Sequence, residues 1–220
     1  MFKPVIPILE KALIKSNTHQ IIDLGSGGGG LLWINSELKK RIPDLKIILT
    51  DYYPNISAFK FIKAQSNNFE YIEKSIDARN VPTKLKGLRT QFLSFHHFRK
   101  SDAQLILRNA FISNASIAIF EAQERSVKSM LAMIFSPLTV LLVTPFIKPF
   151  KIGRIVFTYI IPIVPLFVLW DGIVSCLRTY SVKEMKELIK SIDDDSYDWE
   201  VDRMASGPGV ILYLLGSKKK

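Results

Sequence analysis

The residues with the clearest chemical meaning form a glycine loop between a short apolar strand and a helix. Ile21, Ile22 and Leu24 give the strand pattern, Asp23 lies among them, and five glycines follow at positions 25 and 27 to 30. Glycine lets a backbone turn sharply and approach a ligand where any Cβ would exclude it. A glycine-rich turn without a ligand is the alternative, and the ordering cost of so many glycines disfavours it. The stretch therefore predicts a site for a nucleotide-like ligand.

A second acid lies where a bound adenosine would need one. Asp51 ends the predicted strand 46–51, about one strand-helix-strand unit after the glycine loop. At this spacing a carboxylate can accept hydrogen bonds from both ribose hydroxyls. The alternative is that Asp51 caps a helix beginning near Pro54. Tyr52 could pack on an adenine, although a tyrosine at a strand end is often only surface packing.

The pattern from Ile21 to Gly29 resembles motif I of the class I S-adenosylmethionine-dependent methyltransferases. The resemblance implies that Asp23 anchors the loop and that the loop carries the amino-acid end of the cofactor. The loop residues concerned are Gly25, Ser26, Gly27 and Gly29. It also implies an adenine-binding role for Asp77 and Ala78, which match the family's motif after the third strand; Asp77 as a mere turn residue is the competing interpretation.

The same glycines also satisfy the dinucleotide fingerprint, which by itself is weak. A nicotinamide-dependent oxidoreductase is therefore the first alternative, and Asp23 counts against it because the strand before the dinucleotide loop is usually apolar at that depth.

Candidate catalytic residues follow the fourth and fifth predicted strands. Ser94, Phe95, His96 and His97 end the predicted strand 89–95 and open the next loop, so they should lie near the transferable methyl group. A histidine here could accept a proton from the acceptor; the alternative is that one histidine caps the next helix and the other packs. Glu121 ends strand 116–121 and is a second candidate acid or base, or a rim residue salt-bridged to Arg125. The family often has an aspartate in the fourth strand, where this chain has Gln91.

No metal site is predicted. Adjacent histidines point to opposite sides, no third ligand is evident, and Cys176 is the only cysteine.

The elements that must position these residues alternate between helix and strand, which is typical of an α/β sheet. We expect one domain over residues 1–220. Its fold should be a Rossmann-like, seven-stranded methyltransferase sheet with helices on both faces, and a hydrophobic helical insertion at 126–180 before the last two strands.

The insertion is unusually apolar. Residues 130–147 carry no charge and residues 155–177 carry only Asp171, so each run is long enough to span a bilayer. Prolines within both runs, and basic residues between them, argue against simple spanning. We expect a broken helical cap that dips into the cytoplasmic leaflet; a buried lid, a homodimer contact and a spanning hairpin are the alternatives. Asp171 should pair with Arg178 across a kink or act in catalysis.

The net charge of +10 is spread over the chain with no aromatic-interleaved basic stripe, so it favours an anionic membrane surface over nucleic acid. The N-terminus has no cleavable-signal pattern, and a cytoplasmic location at the inner face of the membrane is expected. Together these features predict methyl transfer from S-adenosylmethionine to oxygen or carbon of a hydrophobic small molecule. A non-catalytic membrane-associated protein that retains the fold is the second alternative.

Overall fold

The computed structural model describes residues 2–27, 30–147, 150–192, 196–207 and 209–219. The strands are β1 Gln20–Leu24, β2 Lys46–Thr50, β3 Phe69–Tyr71, β4 Leu88–Phe92, β5 Ile117–Glu121, β6 Tyr197–Ser206 and β7 Gly209–Lys218. The α-helices are α1 Val5–Lys15, α2 Leu31–Lys39, α3 Ile56–Gln65, α4 Lys100–Ile112, α5 Val127–Ile134, α6 Ser136–Val143, α7 Ile152–Ile155, α8 Ile163–Arg178 and α9 Val182–Lys190. The chain divides into two compact units, residues 1–122 with 181–220 and residues 123–180.

The first unit is built on a seven-stranded sheet in the order β3-β2-β1-β4-β5-β7-β6. β1 to β5 are parallel, and β7 runs antiparallel to both β5 and β6. The strand order reverses between β1 and β4, the point where ligands bind in open α/β sheets, beyond the carboxyl ends of the strands. The predicted α/β fold with a seven-stranded sheet is confirmed.

Alternation along the strands gives the sheet two apolar faces. On one face Ala118 and Phe120 of β5 belong to a continuous core with the buried sides of α1, α2 and α3. Ile117 and Ile119 are equally buried and project to the opposite face, since successive strand residues alternate. α4 and α9 pack against each other and against the β7 and β6 strands.

The end of β4 and the start of α9 each have a local cause. β4 ends at Phe92 rather than at the predicted Phe95, because Leu93 adopts φ +52° and leaves the extended conformation. The chain then forms a 3₁₀ turn over Phe95–His97. The predicted capping box of α9 is confirmed, with the Ser181 hydroxyl accepting from the Glu184 N–H and the Glu184 carboxylate accepting from the Ser181 N–H.

The second unit is helical and contains α5 to α8. It begins three residues before the predicted boundary at 126. Within the described residues no single helix meets the length and hydropathy criteria for crossing a membrane. Two bent pairs meet them together, Val127–Ile134 with Ser136–Phe146 at 40° and Ile152–Ile160 with Ile163–Arg178 at 75°.

Candidate active site

A cavity of about 740 Å³ lies at the carboxyl ends of β1, β2 and β4, within the range typical of small-molecule sites. Most of the predicted cofactor residues line it. They are Asp23, Gly25, Ser26, Gly27, Asp51, Tyr52, Asp77, Ala78 and Ser94. The predicted Gly29 lies outside the described residues.

The glycine loop is fixed to the end of β2 by backbone hydrogen bonds. Gly25 and Gly27 have φ values of +79° and +55°, which side chains rarely adopt. The Gly25 and Ser26 N–H groups both donate to the Thr50 carbonyl at 3.0 Å. The Ser26 hydroxyl donates to the Asp23 carbonyl at 3.0 Å. The loop therefore keeps a sharp turn beside the cavity.

Asp23 is a buried acid, only 2% exposed. Its Oδ1 accepts a hydrogen bond from the Thr90 hydroxyl at 2.6 Å, so the sequence-based requirement for a partner is met. Desolvation raises the pKa of Asp23 from 3.8 to about 6, more than the hydrogen bonds from Thr90 and Ser26 lower it. A buried carboxylate with a raised pKa at a cavity wall favours a cationic ligand group, since a nearby positive charge would stabilise its ionised form.

Asp51 connects the loop to the end of β2. Its Oδ2 accepts from the Gly27 N–H at 3.3 Å and its Oδ1 from the Tyr53 N–H at 2.9 Å. The cap of α3 is Asn55, whose side chain accepts from the Ala58 N–H at 3.1 Å. The alternative that Asp51 caps this helix is therefore wrong. These two backbone N–H groups hold the Asp51 carboxylate at the cavity. Its oxygens keep further lone pairs that can accept hydrogen bonds from a ligand.

Asp77 lies at the cavity in an ion pair with Arg79. The Arg79 Nη2 donates to Asp77 Oδ2 at 2.8 Å, and Nη1 reaches Asp102 Oδ1 at 3.0 Å. These hydrogen bonds hold the pKa of Asp77 below its ordinary value. The Arg79 N–H also donates to Asp77 Oδ1, so Asp77 is both a turn residue and a cavity residue. Ala78 is 8% exposed beside it.

The turn after β4 separates the four residues that were predicted to lie near the reacting group. Ser94 and His97 line the cavity. Phe95 and His96 do not: their side chains are 0% and 3% exposed and lie inside the protein. The predictions of Phe95 as a cofactor contact and of His96 as a base are therefore corrected. The 3₁₀ turn buries Phe95 and His96 and leaves His97 exposed at the cavity, with the His97 ring centroid 4.2 Å from that of His96. A strand-based prediction could not show this difference in burial.

Glu121 explains the shape of this turn. Its Oε1 accepts from the Phe95 N–H at 2.8 Å and the His96 N–H at 3.2 Å, and its Oε2 lies 2.7 Å from His96 Nδ1. Glu121 is 1% exposed, so the alternative of a rim residue is wrong. Glu121 holds Phe95 and His96 in place and does not line the cavity. It is therefore not positioned to act as the predicted acid or base.

Gln91 lies on β4, where the methyltransferase family often has an aspartate. It lines the cavity, is 1% exposed, and both its side-chain oxygen and nitrogen are buried without a described hydrogen-bond partner. The Ser94 hydroxyl is likewise buried without a described hydrogen-bond partner. Buried polar atoms without partners are rare and call for a ligand or water. A glutamine within an otherwise strand-like run was the available sequence signal.

Asp171 belongs to the second unit, where it is exposed on α8. α8 runs unbroken from Ile163 to Arg178, so the predicted kink between Asp171 and Arg178 is absent. Because Asp171 is exposed to solvent, its charge needs no ion-pair partner inside the protein. Among the described residues no group of three or more His, Cys, Asp or Glu could hold a metal ion.

No protein-family model matches the chain, and no curated protein matches it significantly. Solved structures do match. Human N-acetylserotonin methyltransferase in complex with S-adenosylmethionine has 13% identity and a TM-score of 0.54, over 100% of this chain and 53% of that one. The mitomycin 7-O-methyltransferase MmcR has 12% identity and a TM-score of 0.54, over 97% and 54%. A pericyclic reaction enzyme has 15% identity and a TM-score of 0.50, over 91% and 43%.

These likenesses show the fold alone, and the predicted Rossmann-like sheet is shared with the methyltransferases among the matching structures. The chain spans about half the length of the structures it matches. A pericyclic enzyme shares this architecture, so the reaction must be argued from the site and not from the fold.

Proposed function

We propose that the protein binds S-adenosylmethionine and transfers its methyl group to an oxygen or carbon atom of a hydrophobic small molecule. The observation that carries this proposal is the pair of acids, Asp23 and Asp51, beside a loop in which Gly25 and Gly27 have positive φ. A diphosphate at the loop would be repelled by an ionised Asp23 carboxylate, which disfavours the nicotinamide alternative. The methyltransferases among the matching structures support the proposal.

The cavity residues fit the parts of this cofactor. Burial destabilises the ionised form of Asp23. The positive charge of the cofactor's ammonium or sulfonium group would stabilise that form. The Asp51 oxygens suit the two ribose hydroxyls, and Asp77 suits the amino group of adenine. Tyr52, 47% exposed at the cavity, suits the adenine face. When bound, S-adenosylmethionine supplies an electrophilic methyl group.

His97 is the residue placed to move a proton. It lines the cavity on the turn after β4, and its imidazole can accept the proton of an acceptor hydroxyl or acidic carbon at physiological pH. His96 and Glu121 act through it, because their hydrogen bonds fix the turn that carries His97. They are positioning residues in this proposal.

The acceptor is proposed to be apolar with one polar atom, such as a quinone, an isoprenoid phenol or a natural product. Phe2, Phe92 and Phe98 line the cavity, and apolar walls exclude water that would compete with a weak acceptor nucleophile. Gln91 and the Ser94 hydroxyl offer hydrogen bonds to the one polar group of such a molecule.

The test uses the full chain, methyl-labelled S-adenosylmethionine and a lipid extract from the source cells. We expect label in an apolar product, with the rate reduced at least about a hundredfold in His97→Ala, the size of a general-base contribution. The matched control is His19→Ala, since His19 is an exposed histidine that pairs with Asp44. Transfer at the wild-type rate in His97→Ala would overturn its assignment. Absence of label, with binding of NAD instead, would support the oxidoreductase.

We also propose that the second unit contacts the anionic inner leaflet of the membrane, where an apolar acceptor would be dissolved. Exposed apolar side chains on this unit support it. They include Phe135, Leu142, Phe146, Phe150, Ile160, Phe167 and Trp170. Lys151 lies between the two bent helix pairs, and Arg154 lies near the start of the second pair. Cations near an anionic surface contribute about 1 kcal/mol each.

Sedimentation with liposomes tests this contact. We expect the protein to pellet with vesicles containing anionic lipid and to do so less in Phe146→Ser/Phe150→Ser, whose side chains are 81% and 67% exposed. Tyr53→Ser is the control, because Tyr53 is 83% exposed on the first unit. Recovery of all protein in the supernatant at low salt would contradict leaflet contact. A lid or homodimer contact would then be the remaining explanation, and sedimentation velocity would separate these two.

A further inference from the structure

Arg89 is a buried cation at the amino end of the sheet, opposite to the candidate active site. It is the second residue of β4 and is 1% exposed. Its Nη1 donates to the Asn109 Oδ1 at 2.8 Å, and its Nε is buried without a described partner. No ion pair links Arg89 to an acid in the part of the chain that the structure describes. A guanidinium has five N–H donors, and the hydrogen bond to Asn109 uses only one of them.

The neighbouring groups do not neutralise this charge. The Asn109 oxygen is neutral and is shared with the Val81 N–H at 3.3 Å. Tyr197 donates its hydroxyl to the Ala115 carbonyl, and burial raises the pKa of Tyr197, so the phenol stays neutral at physiological pH. Burial also lowers the pKa of Arg89, but an arginine remains charged in proteins. A buried charge without an opposite charge is a strongly unfavourable arrangement.

A cavity of about 490 Å³ opens beside Arg89. It lies at the amino ends of β1, β4 and β5, since Thr18 and Ser116 lead into β1 and β5 and both line it. Lys86, Ser113 and Asn114 add an ammonium, a hydroxyl and an amide. None of the described residues that line this cavity is acidic. The site therefore presents two cations and several neutral donors, and no carboxylate.

We propose that this cavity is a binding site for a small molecule bearing an oxyanion, either phosphate or carboxylate, which pairs with the Arg89 guanidinium. The planar fork of a guanidinium matches both groups through two parallel N–H···O bonds. Lys86, which is exposed at the cavity, serves as a second positive charge at its entrance. The site lies at the opposite end of the strands from Asp23, so it is independent of the proposed methyl transfer.

The experiment is calorimetric titration of the full chain with inorganic phosphate, and separately with acetate, at constant ionic strength set with chloride. We expect saturable binding of at least one oxyanion, at least tenfold weaker in Arg89→Met. Arg108→Met is the matched control, because Arg108 is an exposed arginine on α4 and its loss changes the net charge equally. Binding of phosphate alone, acetate alone or both supports the site and identifies the ligand's anionic group.

Two further variants keep the proposal testable if Arg89→Met does not fold. Lys86→Met and Ser116→Ala retain the buried arginine, and each should weaken oxyanion binding severalfold while leaving the unfolding midpoint in chloride unchanged. An unchanged affinity in both variants would overturn the proposal. So would a wild-type response to phosphate and acetate no larger than the response to chloride, which would leave Arg89 satisfied by water alone.

Discussion

Replacing Asp23 with asparagine separates the stability of the fold from binding at the candidate site. Asparagine keeps an oxygen that can accept the hydrogen bond from Thr90, present at 2.6 Å in the wild type, and removes the charge. The folded protein holds the pKa of this carboxyl at about 6, against an ordinary value of 3.8. At 1.36 kcal/mol for each pKa unit, this corresponds to about 3 kcal/mol of unfavourable free energy in the ionised, folded protein.

The sign of the pH dependence follows from proton binding. Because the folded protein binds this proton more tightly than the unfolded chain, the contribution of Asp23 to stability falls as pH rises from 3.8 to about 6 and is constant above that. Asp23→Asn removes this pH-dependent loss of folding stability. We expect the ligand-free variant to be more stable than the wild type at pH 7.5 by about 1–3 kcal/mol, since the new amide must itself find an acceptor. Near pH 4 the difference should almost vanish.

Urea unfolding at several pH values measures this difference, with the slope against urea checked for constancy. Asp202→Asn is the control, because Asp202 is exposed on β6 and its loss should change the free energy of unfolding by less than about 0.5 kcal/mol. An Asp23→Asn protein that is less stable than the wild type at pH 7.5 would refute the reasoning. So would a difference of the same size at pH 4 and pH 7.5.

Three further predictions concern the turn after β4. Glu121→Ala should lower the free energy of unfolding by about 3–5 kcal/mol in a urea titration, because two backbone N–H groups and His96 lose their buried acceptor. Glu70→Ala, which removes an exposed ion pair with Lys63, should cost less than about 1 kcal/mol. Gln91→Leu should raise the melting temperature, since it removes two unpartnered buried polar atoms, and should weaken acceptor binding, measured as KM. His97→Ala should lower kcat and leave the melting temperature unchanged.

Each of these predictions has a result that would contradict it. Equal destabilisation by Glu121→Ala and Glu70→Ala would mean that the turn does not depend on Glu121. A lower melting temperature in Gln91→Leu would mean that its amide is satisfied in the folded protein, and an unchanged KM would remove it from the acceptor site. A large loss of stability in His97→Ala would assign this histidine to packing.

The part of the cavity formed by the glycine loop and the end of β2 was predictable because it depends on local patterns. Glycines that need positive φ and an acid at the end of the next strand are visible in the sequence, and both Gly25 and Asp51 line the cavity. The α/β sheet follows from alternating helices and strands, and the seven-stranded arrangement follows from the resemblance to the methyltransferase family. These features depend on backbone geometry and chain direction more than on side-chain packing.

The part of the cavity formed by the turn after β4 was only partly predictable because it depends on one backbone torsion and on long-range contacts. Leu93 at φ +52° ends β4 early, and Phe95 and His96 then lie buried in the protein and not at the cavity. The pairing of Glu121 with His96 joins residues 25 positions apart, and no local pattern indicates it. The burial of Arg89 has no local sequence signal for the same reason, because it depends on which elements pack beside β4.

Calorimetric titration with S-adenosylhomocysteine tests the central claim most directly, because it measures binding without needing the acceptor. We expect one molecule bound per chain, no binding of NAD, and affinity about 10- to 100-fold weaker in Asp51→Asn, the loss expected when hydrogen bonds to a charged group are removed. Asp202→Asn should bind like the wild type. Binding of NAD in place of S-adenosylhomocysteine, or an Asp51→Asn protein with wild-type affinity, would contradict the account.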